Sequence, residues 1–257
     1  MLTDIVNDVF SSNALIVAFV FVGVLVWLSY LLSAKLTHGR IHGSAIAITI
    51  GLLLAWVGGT LTGGDRGLAD FSLLAGVGVM GGAMFRDFAI VATAFGARLE
   101  TLKRAGAVGA ASVVIGVVLS FATGAVVALA FGVTDPVSIS TIGAGAATYI
   151  VGPVTGTALG ASSDIVALSV AAGLTKSVLV MIGTPLVASW IGLDNPRAAL
   201  IYGGLMGTTS GVAGGLAATD PKLVPYGAMT ATFYTGVGCL LAPSVLYLIV
   251  RALAGGA

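Results

Sequence analysis

Apolar runs of about 20 residues recur along this chain, and that is the length of helix needed to cross some 30 Å of hydrocarbon. No water reaches the middle of a bilayer, so a crossing segment must satisfy its own backbone N–H and C=O groups. Composition points the same way. Of 257 residues, 58% are hydrophobic and only 8% are charged, too little polar surface for a water-soluble domain of this size. The expected fold is an all-α, polytopic integral membrane protein, with broken or re-entrant helices and an internal repeat in its C-terminal half.

Length and punctuation place the first spans near 13–32, 41–60, 68–84 and 107–132. Between the last two lies "FRDFAIVATAFGARLETLKRAG", apolar at helical spacing with most of its charge at the ends. It reads as an amphipathic helix on the membrane surface over 85–105. Lys35, Arg40, Arg86, Arg98, Lys103 and Arg104 fall on one side of the resulting topology, against Arg66 on the other. The positive-inside rule then puts the first group in the cytoplasm and the N-terminus outside. The opening "MLTDIVNDVFSSN" is acidic where a signal peptide is basic, so the first apolar run is expected to remain as an anchor.

The expected organisation is 1–132, the N-terminal spans with their surface helix, and 133–257, a transport region of two repeats at 135–191 and 195–251. "DPVSISTIGAGAATYIVGPVTGTALGASSD" parallels "NPRAALIYGGLMGTTSGVAGGLAATD". Each opens on Asp-Pro or Asn-Pro, runs through glycine-rich apolar sequence with hydroxyls, and closes on Asp before a long uninterrupted run. Paired, interrupted segments of this kind point to a transporter's binding site. Unpaired backbone at membrane depth is tolerated only where it is buried in protein or lines a watery cavity. Half-helix N-termini face anions there, while freed carbonyls and hydroxyls suit a small cation. The alternative is close helix packing through small residues, with no ligand.

On the transport reading, the candidate substrate residues are Gly152, Pro153, Thr155, Gly156, Thr157, Lys176, Thr208, Thr209, Ser210 and Gly211. Thr155, Thr208, Ser210, Asp164 and Asp220 are candidates for the coupling cation. Lys176 lies near the middle of its run, where an ammonium costs about 2.5–3.5 kcal/mol on insertion scales and needs a partner. It either meets a substrate carboxylate or balances Asp164 or Asp220. Those two aspartates either cap the helices that follow them or hold a cation or proton. Each broken segment can cross fully or turn back as a hairpin, and the sequence leaves both open.

Other features are bland. Cys239 in an apolar run allows no disulfide within one chain. His38 and His42 flank Arg40 without further ligands and read as solvated loop residues. "GVGVMG" at 76–81 matches a nucleotide fingerprint only formally, inside an apolar run. The net charge of +1, with no basic patch beyond short loops, argues against a nucleic-acid partner. No enzyme motif is evident, and no organic cofactor is expected.

"KLTHGRIHGSAIAITIGLLLAW", "GGAMFRDFAIVATAFGARLE" and "TSGVAGGLAATDPKLVPYGAMTATFYTGVG" together resemble the MadM subunits of bacterial malonate transporters, over essentially the whole chain. The resemblance implies import of malonate by cation symport, with sodium (or a proton) as coupling ion, and a smaller membrane partner, MadL. A higher oligomer stays open. "GPVTGTALG" and "LMGTTSGVAGG" are also similar, over 150–246 only, to the large LrgB subunit of a system linked to holin-like behaviour and pyruvate transport. The rival functions are therefore a holin-like channel, a pyruvate or other monocarboxylate transporter, and a structural subunit whose partner holds the site.

Overall fold

The computed structural model describes residues 10–38, 43–64, 66–80 and 99–254. Among these residues the structure is helical, with no strand. It divides into two compact units, Met1–Ala92 and Thr93–Ala257. The first holds α1 (Ala14–Leu36), α2 (Gly43–Thr62) and a short turn of helix, α3 (Ala75–Gly78). Gly76 lies directly on the backbone of Ala14, an approach only a residue without Cβ permits. The span expected at 68–84 is described only to Met80, and most of the expected surface helix at 85–105 lies outside the described residues.

The second unit holds α4 (Leu99–Ala130), α5 (Pro136–Ala147), α6 (Val151–Leu159), α7 (Ser163–Val187), α8 (Pro196–Met206), α9 (Thr209–Ala217), α10 (Val224–Leu241) and α11 (Tyr247–Ala254). The chain is multi-pass: four helical stretches, Ala14–Leu36, Gly106–Ala130, Ser163–Val187 and Pro221–Ala254, are long and apolar enough to span. α4 breaks at Gly106 (φ 67°), so its basic first turns need not continue the span. Grouped by sequence with the N-terminal spans, α4 packs with the repeats, against α5, α8 and α10.

Sequence explains where the short helices start. Asp135 and Asn195 are N-caps, accepting from Ser138 N at 2.8 Å and Ala198 N at 3.0 Å, and each is followed by a proline whose fixed φ suits a first helical position. Neither α5 nor α6 can cross, because 12 and 9 residues reach only about 18 and 14 Å at 1.5 Å per residue. They run side by side and antiparallel. A methyl group on Gly152 would stand 2.9 Å from Gly145 Cα, and one on Gly156 2.9 Å from Thr141 Cγ2. The segment turns back.

The second segment does the same. Tyr202 on α8 meets Thr184 of α7 (2.7 Å), and Thr208 further along meets Ser177, so α8 runs against α7. On α9, methyl groups at Gly211, Gly214 and Gly215 would meet Ser177, Met181 and Thr184 in turn, so α9 runs with α7. Ala199, Gly203 and Gly207 of the α8 leg face Gly227, Thr230 and Tyr234, so α10 runs with α8 and against α7. Each unit is therefore a hairpin followed by a crossing helix, and the two units are inverted.

One constant offset carries Gly145 to Gly203, Ser169 to Gly227, Lys176 to Tyr234 and Pro185 to Pro243. The contacts repeat as well: Gly145 abuts the Ser169 carbonyl, and Gly203 abuts the Gly227 carbonyl. In lipid there is little hydrophobic force between helices, so such backbone approach supplies the packing. Pro243 interrupts its crossing helix, which widens to a π-turn over Ala242–Leu246 before α11.

Candidate functional site

The two hairpin tips, Thr148–Ile150 and Gly207–Thr208, come together on α7. Gly173 of α7 leaves room for the backbone of Tyr149, and one turn further along Ser177 contacts the Thr208 hydroxyl. Each tip is built by a threonine. Thr148 Oγ1 accepts from Ile150 N (3.2 Å) and Val151 N (3.1 Å), and Thr208 Oγ1 accepts from Gly211 N (3.4 Å). Gly207 ends α8 at φ 73°, against the Tyr234 ring. A side chain there meets both the left-handed backbone and the ring. At these tips α5 and α8 end while α6 and α9 begin, so dipoles of both signs converge.

Lys176 lies between the tips, near the middle of the 25-residue α7. Its ammonium donates to Ser120 Oγ (2.8 Å), the Ala147 carbonyl (2.9 Å) and Tyr234 Oη (3.2 Å), and stands 5.0 Å from the Tyr234 ring centroid. Tyr234 Oη donates in turn to the Gly116 carbonyl (3.1 Å). All three partners of the ammonium are neutral oxygens. Asp164 is exposed in the first turn of α7, about 18 Å away along the helix at 1.5 Å per residue. Asp220 accepts from Lys222 N at 3.0 Å, a helix-start role. Lys176 thus pairs with neither aspartate.

Beside the ammonium is a cavity of about 460 Å³, bounded by Gly116, Ser120 and Thr123 of α4, Ala146 of α5, and Leu205 and Met206 of α8. That is within the size range of small-molecule sites. A larger groove of about 640 Å³ between α7 and α8 has no charged side chain in its lining and offers an anion no counter-charge.

The other sequence candidates divide. Gly152 and Gly156 are interhelical contacts of the first hairpin. Pro153 sits in the first turn of α6, where its missing N–H would have had no intrahelical partner. Thr155 is fully buried, and its hydroxyl, like that of Ser210, has no hydrogen-bond partner among the described residues. Thr157 is exposed on α6, and Thr209 is half-buried at the start of α9. Thr208 and Gly211 form the second tip. The reading from sequence omitted Ser120, Thr148, Ser177 and Tyr234. Tyr234 had a signal, since it occupies the position of Lys176 in the second repeat.

Inverted repeats with broken helices meeting around a half-buried charge in the middle of a crossing helix are a build of the class of secondary transporters. The family is more particular. Residues 6–254 match the family described as the malonate/sodium symporter MadM subunit, and the chain belongs to that family. It is therefore a membrane transporter subunit and not an enzyme. No curated protein and no solved structure matches the chain.

Proposed function

We propose that this chain carries the substrate site of a sodium-driven malonate importer, with Lys176 receiving one carboxylate in the cavity between α4, α5, α7 and α8. The observation behind this reading is the ammonium itself, held at membrane depth by three neutral oxygens and bordered by open space. An intramembrane charge without a counter-charge is expensive, and a carboxylate entering that space supplies one. The N-terminal ends of α6 and α9 favour negative charge at the tips, so the second carboxylate has a place to lie. Thr155 and Ser210, with unpartnered hydroxyls, and Thr208 offer oxygens for a coupling cation. Asp164 and Asp220 are the carboxylates where each hairpin gives way to its crossing helix.

Malonate carries two negative charges, and import against a negative-inside potential costs about 2.3 kcal/mol per charge per 100 mV, which co-transported cations offset. MadL is the expected partner, and the inner membrane the expected location. With the basic start of α4 in the cytoplasm, the first hairpin enters from the periplasm and the second from the cytoplasm, which puts Arg197 inside; the basic loops between the N-terminal spans favour an N-terminus outside. Labelling of a cysteine at position 197 from outside only, in intact cells, overturns that orientation.

The test of function is uptake of labelled malonate by the two-subunit complex in proteoliposomes. An imposed sodium gradient drives uptake, and Lys176→Ala raises the apparent KM at least tenfold in a complex that still assembles, because truncating one partner of a desolvated charge pair costs about 2–5 kcal/mol. Conduction without a gradient requirement supports the holin-like alternative instead. Unchanged malonate affinity in assembled Lys176→Ala removes Lys176 from the site.

A further inference from the structure

We propose that the three oxygens now holding the Lys176 ammonium form a monovalent-cation site, which the ammonium occupies until a substrate carboxylate draws it away. The inference rests on the reading of Lys176 as the carboxylate partner; it puts the cation at Ser120, Ala147 and Tyr234 in place of the Thr155, Thr208 and Ser210 hydroxyls, and it says why the cation binds with the anion.

Ser120 Oγ, the Ala147 carbonyl and Tyr234 Oη come from three different helices and converge on one point at 2.8, 2.9 and 3.2 Å. Two of them present a lone pair for a separate structural reason. Ala147 is the last residue of α5, where carbonyls lack an intrahelical donor. Val151 N, the donor four residues on, is taken by the Thr148 hydroxyl. The same carbonyl sits at the negative end of the half-helix dipole. Tyr234 spends its hydrogen on the Gly116 carbonyl, which leaves its oxygen facing the cation as an acceptor.

Carbonyl and hydroxyl oxygens are the ligands that replace the hydration shell of a monovalent ion in a membrane pore. With no carboxylate in the set, the site suits a single positive charge. Lys176 meets that need as a tethered cation, and two positive charges at the same oxygens repel. The lysine stem is flexible and its ammonium borders the cavity, so a carboxylate arriving there can pull the ammonium off the three oxygens. The vacated oxygens then take a free cation. Anion and cation each favour binding of the other, and this linkage is reciprocal.

Binding of radiolabelled sodium to the purified complex tests this, with choline chloride holding ionic strength constant. In Lys176→Met the apolar stem remains and the charge is gone. Wild type binds sodium at this site only when malonate is present. Lys176→Met is expected to bind sodium without malonate at least tenfold more tightly than wild type does, and adding Ser120→Ala or Tyr234→Phe abolishes the gain. No gain in an assembled Lys176→Met complex, or a gain that survives both second substitutions, overturns the proposal. If Lys176→Met does not assemble, Ser120→Ala alone decides it. The proposal requires Ser120→Ala to weaken malonate-dependent sodium binding at least threefold, and unchanged sodium affinity overturns it. The two readings fail separately. Retained malonate affinity in Lys176→Met defeats the carboxylate role, whereas lost malonate affinity without a sodium gain defeats only the cation site.

Discussion

The two inverted repeats share a scaffold and differ in what they carry to the centre. Gly145 and Gly203 make the same backbone approach, Asp135 and Asn195 the same cap, and Thr148 and Thr208 the same kind of tip. At the equivalent position of the two crossing helices, however, the first has Lys176 and the second Tyr234, and the two touch at 3.2 Å. A symmetric pair would have been two ammonium groups, which repel, or two phenols, which attract no anion. The duplication thus supplies the geometry, and the departure from symmetry supplies a single charge with its own acceptor. Scaffold positions should therefore respond alike in both repeats, and chemistry-bearing positions should not.

The largest effects are expected where the scaffold is tightest. Gly145→Val and Gly203→Val both drive a branched side chain into a backbone carbonyl of the crossing helix, of Ser169 and Gly227 respectively. Backbone cannot step aside as a flexible side chain can, so each should cost about 3 kcal/mol, the upper end for overpacking. Both variants should lose the monodisperse peak in size-exclusion chromatography of detergent extracts. If one repeat tolerates the change and the other does not, the packing equivalence is wrong.

The tips come next. Thr148→Val and Thr208→Val each remove a helix-capping hydroxyl, worth about 1 kcal/mol. Stability should fall similarly in both, read as the thermal midpoint of the complex. Transport should separate them. Thr208 also contacts Ser177, the neighbour of Lys176, while Thr148 holds Val151 N away from the Ala147 carbonyl. Thr148→Val should therefore free Val151 N to compete for that carbonyl and weaken sodium dependence more than Thr208→Val does. Equal sodium dependence in the two variants would remove the functional difference between tips.

How much of this was legible in the sequence depends on the range of the interaction. The duplication, the breaks and most of the long apolar helices are local matters of hydropathy, glycine, proline and capping residues, but the span expected at 68–84 begins instead as short turns over 67–70, 72–74 and 75–78. Lys176 stood out because an ammonium in an apolar run is costly wherever it points. Its partners did not, because Ser120, Ala147 and Tyr234 are brought to it only by the packing of α4, α5 and α10 around α7. The same holds for α4, whose apolar sequence contains nothing to say that it packs with the repeats and not with the spans before it. Hairpin and crossing segments were equally compatible with the glycine-rich strings. The choice lies in helix lengths, which the turns at Thr148 and Gly207 determine.

The smallest expected effect concerns the caps at the outer ends of the hairpins, Asp135 and Asn195. The backbone N–H of Ser138 bonds the Asp135 carboxylate and holds its pKa below the ordinary value of 3.8, outweighing the opposing effect of burial, with the Ser138 side chain and the Val137 N–H lowering it further. A carboxyl whose pKa is lowered on folding contributes stability above its unfolded pKa and loses it as the pH falls through the folded value. Asn195 makes the equivalent bond to Ala198 N with a group that does not titrate. Asn and Asp rank alike as N-caps, so Asp135→Asn should change the thermal midpoint at neutral pH by no more than a few tenths of a kcal/mol equivalent. Below about pH 4, near the unfolded carboxylate pKa, wild type should lose this contribution while Asp135→Asn keeps its cap. The difference between the two melting curves should therefore shift in favour of the variant as the pH is lowered from 6 to about 3. A difference that stays constant over that range would mean that Asp135 caps its hairpin no differently from Asn195, and that the two ends match in charge behaviour as well as in geometry.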